Sequence, residues 1–134
     1  MMILLPFMDI LSLSYYLRRL VREISQVRLF FDWRGQDIPE SYTNRMRIVL
    51  IRFLKLSEKV QENMVKDEIS KNEGEIIVSL YFSTDHAREI YSVIGSDEIP
   101  LCRRMRDVGD DKFKELESKL NSLIHLLECF QASK

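Results

Sequence analysis

The side chains able to do covalent or metal chemistry are few and poorly placed. His86 and His125 are the two histidines, and Cys102 and Cys129 the two cysteines. Cys129 follows His125 by four residues, so the two can touch on one helical face. No third group at a fixed spacing orients the pair, as an activated nucleophile needs. No spacing among these four residues fits a zinc site. Two thiols are too few for a disulfide framework and read as free thiols of a reducing compartment. Gly35, Gly74, Gly95 and Gly109 stand too far apart to form a phosphate-cradling loop. Asp107, Asp110 and Asp111 resemble part of an oxygen-ligand loop, but the turn glycine and bidentate glutamate do not follow. Acids at the start of a helix explain them better. No catalytic residue, metal or cofactor is expected, and the chain reads as a non-enzyme.

The cationic residues are better organised. Arg45, Arg52 and Lys59 are spaced by seven, Arg47 and Lys55 lie between them, and no acid occurs between Ser41 and Ser57. Arg103, Arg104 and Arg106 form a second cluster. Either set can contact nucleic-acid phosphates. The competing reading is a solvated face paired with acids of neighbouring helices, and neither set carries the aromatic interleaving of single-strand binders. Trp33, with Phe30 and Phe31, reads either as a cap on the core or as a binding anchor.

Bulk composition sets the frame. At 134 residues the chain suits a single domain, residues 1–134, with a real core. A net charge of −1 excludes a global field that recruits nucleic acid or anionic membrane, so any such contact is local. Met1 to Leu17 is apolar-rich, but Pro6 and Asp9 interrupt it short of a membrane span. It lacks the basic start of a signal peptide. It reads as a buried or partner-facing helix start, with a peripheral anchor as the alternative. The expected location is intracellular: cytoplasmic, with nuclear as the variant.

Hydrophobic period supplies the elements. Ile10, Leu13, Leu17, Leu20, Ile24, Val27 and Phe31 step 3, 4, 3, 4, 3, 4, which predicts a helix over about 6–32. Asp37, Pro39 and Glu40 then make a helix start. Met46, Val49, Phe53, Leu56 and Val60 repeat the period, widened by Leu50 and Leu54, and predict a helix over about 39–69. The short connection predicts an antiparallel hairpin within 1–70. Phe113, Leu116, Leu120, Leu123, Leu127 and Phe130 predict a last long helix from about Asp110.

Between them the period changes. Glu75 to Phe82 is β-branched and aromatic and reads as a strand, with Ile76, Val78, Leu80 and Phe82 on one face and Ile77 and Tyr81 on the other. Ser83 or Thr84 then caps a short helix over 84–94, and 95–110 reads as loop. The expected fold class is α+β, predominantly α: a helical hairpin over 1–70, then over 75–134 a strand–helix unit, a loop and a long C-terminal helix. A lone strand leaves its backbone groups unpaired. Residues 99–106 or a second chain must pair with it, which points to a protein partner or a homodimer through Ile77, Leu80 and Tyr81.

The order of signals after Glu75 resembles a known family. Phe82-Ser83 leads to Asp85, Ala87 and Tyr91, then Glu98, Pro100 and Arg103-Arg104, then Leu116 and Leu120 before Asn121-Ser122. Over residues 75–131 this resembles the small dimerising subunit of the KEOPS complex, which makes threonylcarbamoyladenosine on tRNA. The resemblance implies a strand–helix–strand–strand–helix fold and a dimer formed through the sheet. It also implies Asn121 and Ser122 at the packing surface of the last helix, and Arg103-Arg104 near tRNA or a partner. The leading expectation is a non-catalytic subunit or adaptor of a protein complex, in its sharpest version one serving tRNA modification. The alternatives are a nucleic-acid-associated accessory protein using the stripe on helix two, and a helical regulatory module that takes a partner helix in a groove. No small-molecule substrate is expected.

Overall fold

The computed structural model describes residues 7–32, 38–65, 71–94 and 101–132. Five α-helices fill them: α1 (Phe7–Leu29), α2 (Glu40–Val65), α3 (Lys71–Ile94), α4 (Leu101–Val108) and α5 (Asp110–Ala132). One 3-10 turn, Phe30–Asp32, extends α1. The fold is an up-down-up-down bundle in which α1 packs on α2 and α5, and α3 packs on α2 and α5. Long-range pairs fix the directions. Phe30 meets Tyr42, Arg88 meets Glu58, Lys112 meets Glu89, and Arg28 meets Asp110, so each neighbouring pair runs antiparallel.

The three predicted helical seams form the core. Leu13, Leu17, Leu20, Ile24 and Val27 of α1, Met46, Val49, Phe53 and Val60 of α2, and Phe113, Leu116, Leu120, Leu123, Leu127 and Phe130 of α5 are buried. Phe31 closes the end of the bundle against Phe113, with ring centroids 5.8 Å apart. Apolar positions every 3.5 residues keep one face toward the axis over six turns, so near-antiparallel packing follows.

The α+β expectation is overturned: no strand occurs among the described residues. Glu75–Phe82 lies inside α3, continuous with the helix expected over 84–94. Its apolar residues divide by helical rather than alternating period. Ile76 and Leu80 are buried with Ser83, Ala87, Ile90 and Ile94 at steps 4, 3, 4, 3, 4, while Val78 and Phe82 face outward. Strand propensity is a weak preference that burial of a helical stripe overrides. Thr84, expected at a cap, sits mid-helix, and its hydroxyl donates to the Leu80 carbonyl at 2.6 Å. That bond removes the side chain's competition with the backbone ladder. The unpaired strand edge therefore disappears, and among the described residues no strand remains for the sheet that the family resemblance implies.

A second correction concerns the stretch expected as loop. Leu101–Val108 is helix α4, whose buried Met105 and Val108 cover the end of the bundle against α2 and α3. Gly109 separates α4 from α5 at φ +88°, a left-handed value that a side chain resists. Its N–H donates to the Arg106 carbonyl at 3.1 Å, closing α4 as α5 begins.

Candidate interaction surface on α3 and α5

Making 75–82 a helix puts three large apolar side chains on the outside. Val78, Tyr81 and Phe82 are 55%, 55% and 51% exposed, opposite the stripe that carries Ile76, Leu80 and Ala87 into the core. The rings of Tyr81 and Phe82 meet edge to face at 5.8 Å, and the Lys119 ammonium of α5 lies 5.6 Å from the Phe82 centroid. Beside them runs a groove of about 610 Å³ between α3 and α5, lined by Gly74, Glu75, Val78, Ser79 and Leu126. Gly74 sits in the helix without positive φ, and a Cβ there would meet nothing within 4 Å. No packing demand explains this glycine, and its missing side chain leaves that end of the groove open.

A second, more polar groove of about 720 Å³ continues across the outer face of α5 from the same Leu126. Asn121, Ser122 and His125 line it, with Lys114 and Arg28 at its far end. Arg28 is held there by Asp110, 2.7 Å from its Nε, and by Glu117, 3.3 Å from its Nη1. The hydrogen bond to Asp110 raises the guanidinium pKa further, so its charge is fixed.

The walls are tied below the groove by polar contacts across α3 and α5. His86 Nε2 stands 3.0 Å from Glu115, and Lys112 Nζ stands 2.7 Å from Glu89. The hydrogen bond from Lys112, with its charge, holds the Glu89 carboxyl below the ordinary carboxylate range. Contacts of this kind at the surface contribute little to stability. The buried stripes of α3 and α5 hold the groove in shape.

The expected partner residues separate in this frame. Tyr81 is exposed on α3 next to Phe82 but lines neither groove, whereas Asn121 and Ser122 are exposed on α5 and line the polar groove. Leu80 is fully buried core and Ile77 packs against the core, so neither is a surface anchor; both were assigned from strand geometry. Trp33 lies outside the described residues. Val78, Phe82, Gly74 and Leu126 were not among the expected partner residues; helical period continued through Ser83 and Thr84 puts Val78 and Phe82 on the outer face of α3, while Leu126 depends on how α5 packs.

The cationic residues remain on different helices. Arg45, Arg52, Lys55 and Lys59 are exposed on α2, whereas Arg103 is exposed on α4. The side chain of Arg104 lies outside the described residues. Cys129 and His125 do touch, with Sγ to Nε2 at 3.7 Å, on the exposed face of α5. Among the described residues no group of three or more His, Cys, Asp or Glu side chains can hold a metal ion. Nor is any described helix long and apolar enough to cross a membrane. No known protein family, curated protein or solved structure matches the chain.

Proposed function

We propose that the chain is a non-catalytic interaction module of a protein complex that takes an amphipathic helix of its partner along the α3–α5 groove. The observation that carries this reading is the half-exposure of Val78, Tyr81 and Phe82 beside a groove that Gly74 leaves open. A helix laid there would place its apolar stripe on these three side chains, the helix-in-groove mode of recognition. Glu75 and Asp85 are exposed on the same side of α3. Helices α3 and α5 together carry nine Asp/Glu against five Lys/Arg. The complementary partner helix is therefore basic on its flanks. Asn121 and Ser122 offer hydrogen bonds where a longer partner crosses the outer face of α5. The helix-in-groove reading is preferred to a subunit of a tRNA-modifying assembly because no strand for a dimerising sheet occurs among the described residues.

The test is an NMR titration of the labelled chain with a designed peptide of about 18 residues, five helical turns, with leucines at i, i+3, i+4 and i+7 and lysines on the flanks. Amide shifts should map to residues 74–82 and 119–126. Val78→Lys with Tyr81→Lys should weaken binding at least about tenfold, since central anchors contribute 1 kcal/mol or more each. Shifts confined to other faces, or an affinity unchanged in the double variant, would remove this reading.

A further inference from the structure

The two layers of the bundle carry opposite charge. Helices α1 and α2 hold nine Lys/Arg against five Asp/Glu, the reverse of α3 and α5. Much of the excess is outward. At 3.6 residues per turn, Tyr15 and Arg22 stand on the crest of α1 opposite its buried stripe, and Ile48, Lys55 and Lys59 stand on the crest of α2. Between the crests lies the α1–α2 seam. Glu23 and Arg45 meet across it, Oε2 to Nε at 3.9 Å. Two helical turns farther along each helix, Tyr16 comes level with Arg52 in antiparallel register. Arg19 falls between them, its Nη1 3.3 Å from the Tyr15 hydroxyl and its guanidinium 5.8 Å from that ring's centroid. Arg45 lies over the Tyr42 ring at 4.7 Å. Packing thus brings Tyr15 and Tyr16 of α1 to the face of the α2 stripe, which by itself has only Tyr42 beside Arg45.

Acids match part of the charge on this face, with Glu23 at Arg45 and exposed Glu62 three residues from Lys59, but none pairs with its central cations. Among the described residues Arg22, Arg52 and Lys55 have no ion pair. Arg52 and Lys55, three apart on one helix, repel each other. Glu58 is engaged by Arg88 of α3, at 2.8 Å. Glu23 is the one carboxylate in the seam floor. It is buried and answers Arg45. From Arg45 to Lys59 the cations extend about 20 Å along the helix axis. With Arg18 and Arg22 they interrupt the exposed apolar residues Leu11, Tyr15, Leu29 and Ile48, so no continuous apolar stripe exists to enter a bilayer. Arg22, Arg52 and Lys55, without ion pairs among the described residues and beside the exposed Tyr15, fit a flexible polyanion with unpaired bases.

We propose that the α1–α2 face binds a single strand of nucleic acid, its phosphates on Arg22, Arg52 and Lys55 and a base against Tyr15. The face is separate from the α3–α5 groove and stands or falls independently of it.

The experiment is fluorescence anisotropy of the full chain with a labelled oligouridylate of about 12 nucleotides. Three phosphate contacts predict a log–log salt slope near −2, a loss of about twentyfold between about 50 and 200 mM salt. Arg52→Gln with Lys55→Gln should reduce that slope by about 1.4. Tyr15→Ala should weaken binding about fivefold or more. Val78→Lys/Tyr81→Lys, on the opposite layer, should leave binding intact. The proposal is overturned by absent binding at low salt, by an unchanged slope in the double variant, or by equal affinity for a duplex of the same length. It is also overturned if phosphatidylserine vesicles bind through Arg52 and Lys55 while the oligonucleotide does not.

Discussion

Ser57 of α2 and Thr84 of α3 share a hydrogen bond inside the bundle, where both side chains are buried. Because Thr84 donates its own proton to the Leu80 carbonyl, Ser57 is the donor to Thr84. Gln61 Nε2 completes the chain by donating to Ser57 Oγ at 3.0 Å. Thr84→Val strands a buried donor and should destabilise the fold by about 1–3 kcal/mol. Ser57→Ala should cost less, because Thr84 keeps its bond to Leu80 and receives a second from Gln61 at 3.3 Å. The double variant should be less destabilised than the sum of the singles by about 0.5 kcal/mol or more, read from denaturant midpoints in a double-mutant cycle.

Two glycines should respond to alanine with opposite sign. Gly74 has helical φ and open space, so Gly74→Ala should stabilise by about 0.5–1 kcal/mol through helix propensity. Gly109 holds φ +88°, where a Cβ meets its own backbone, so Gly109→Ala should destabilise by about 1–2 kcal/mol despite equally open surroundings. Thermal melts of the two variants check both.

Core and surface positions on adjacent helices should separate cleanly. Leu120→Ala opens a cavity among fully buried side chains and should cost about 2–5 kcal/mol. Val78→Lys with Tyr81→Lys replaces half-exposed side chains and should leave stability within about 0.5 kcal/mol per site. A comparable loss at both places would mean that Val78 and Tyr81 are packed, not presented.

The Glu89–Lys112 pair has a defined pH signature. Lys112 lowers the folded-state pKa of Glu89 below its unfolded value. Its contribution is therefore present above the ordinary carboxylate range and is lost as pH falls through the depressed folded value. In an NMR titration the Glu89 carboxyl should titrate at lower pH than an ordinary glutamate, and Lys112→Ala should return it upward. An unshifted Glu89 in the native chain contradicts the pair.

Most of the bundle was legible because three helices wear their core as an uninterrupted leucine-rich seam. From Leu13 to Val27, Met46 to Val60, and Phe113 to Phe130, period and burial coincide. The fourth helix was hidden by composition. Ile76-Ile77-Val78 and Tyr81-Phe82 have the residues of a strand, and Ser83 and Thr84 occupy core-facing positions that an apolar pattern would otherwise fill. Their hydroxyls look like a cap in sequence, yet Thr84 bonds within its own helix and across to Ser57. Reading the segment as a strand put Ile77 and Leu80 at the interface. Reading it as a helix sends Leu80 inward and brings Val78 and Phe82 out. The stripe on α2 was legible from spacing alone, whereas its company of Tyr15, Arg19 and Arg22 depends on how α1 packs.

Both the fold and the docking surface rest on the conformation of Glu75–Phe82. Backbone chemical shifts and medium-range NOEs over this segment test that most directly. The account predicts helical Cα shifts and Hα(i)–Hβ(i+3) contacts, Val78 to Tyr81 among them, running unbroken into Asp85. Extended shifts with strong sequential Hα–HN contacts and cross-strand NOEs would contradict it. They would return Val78 and Phe82 to the face of Ile76 and Leu80, and the α3–α5 surface would no longer exist.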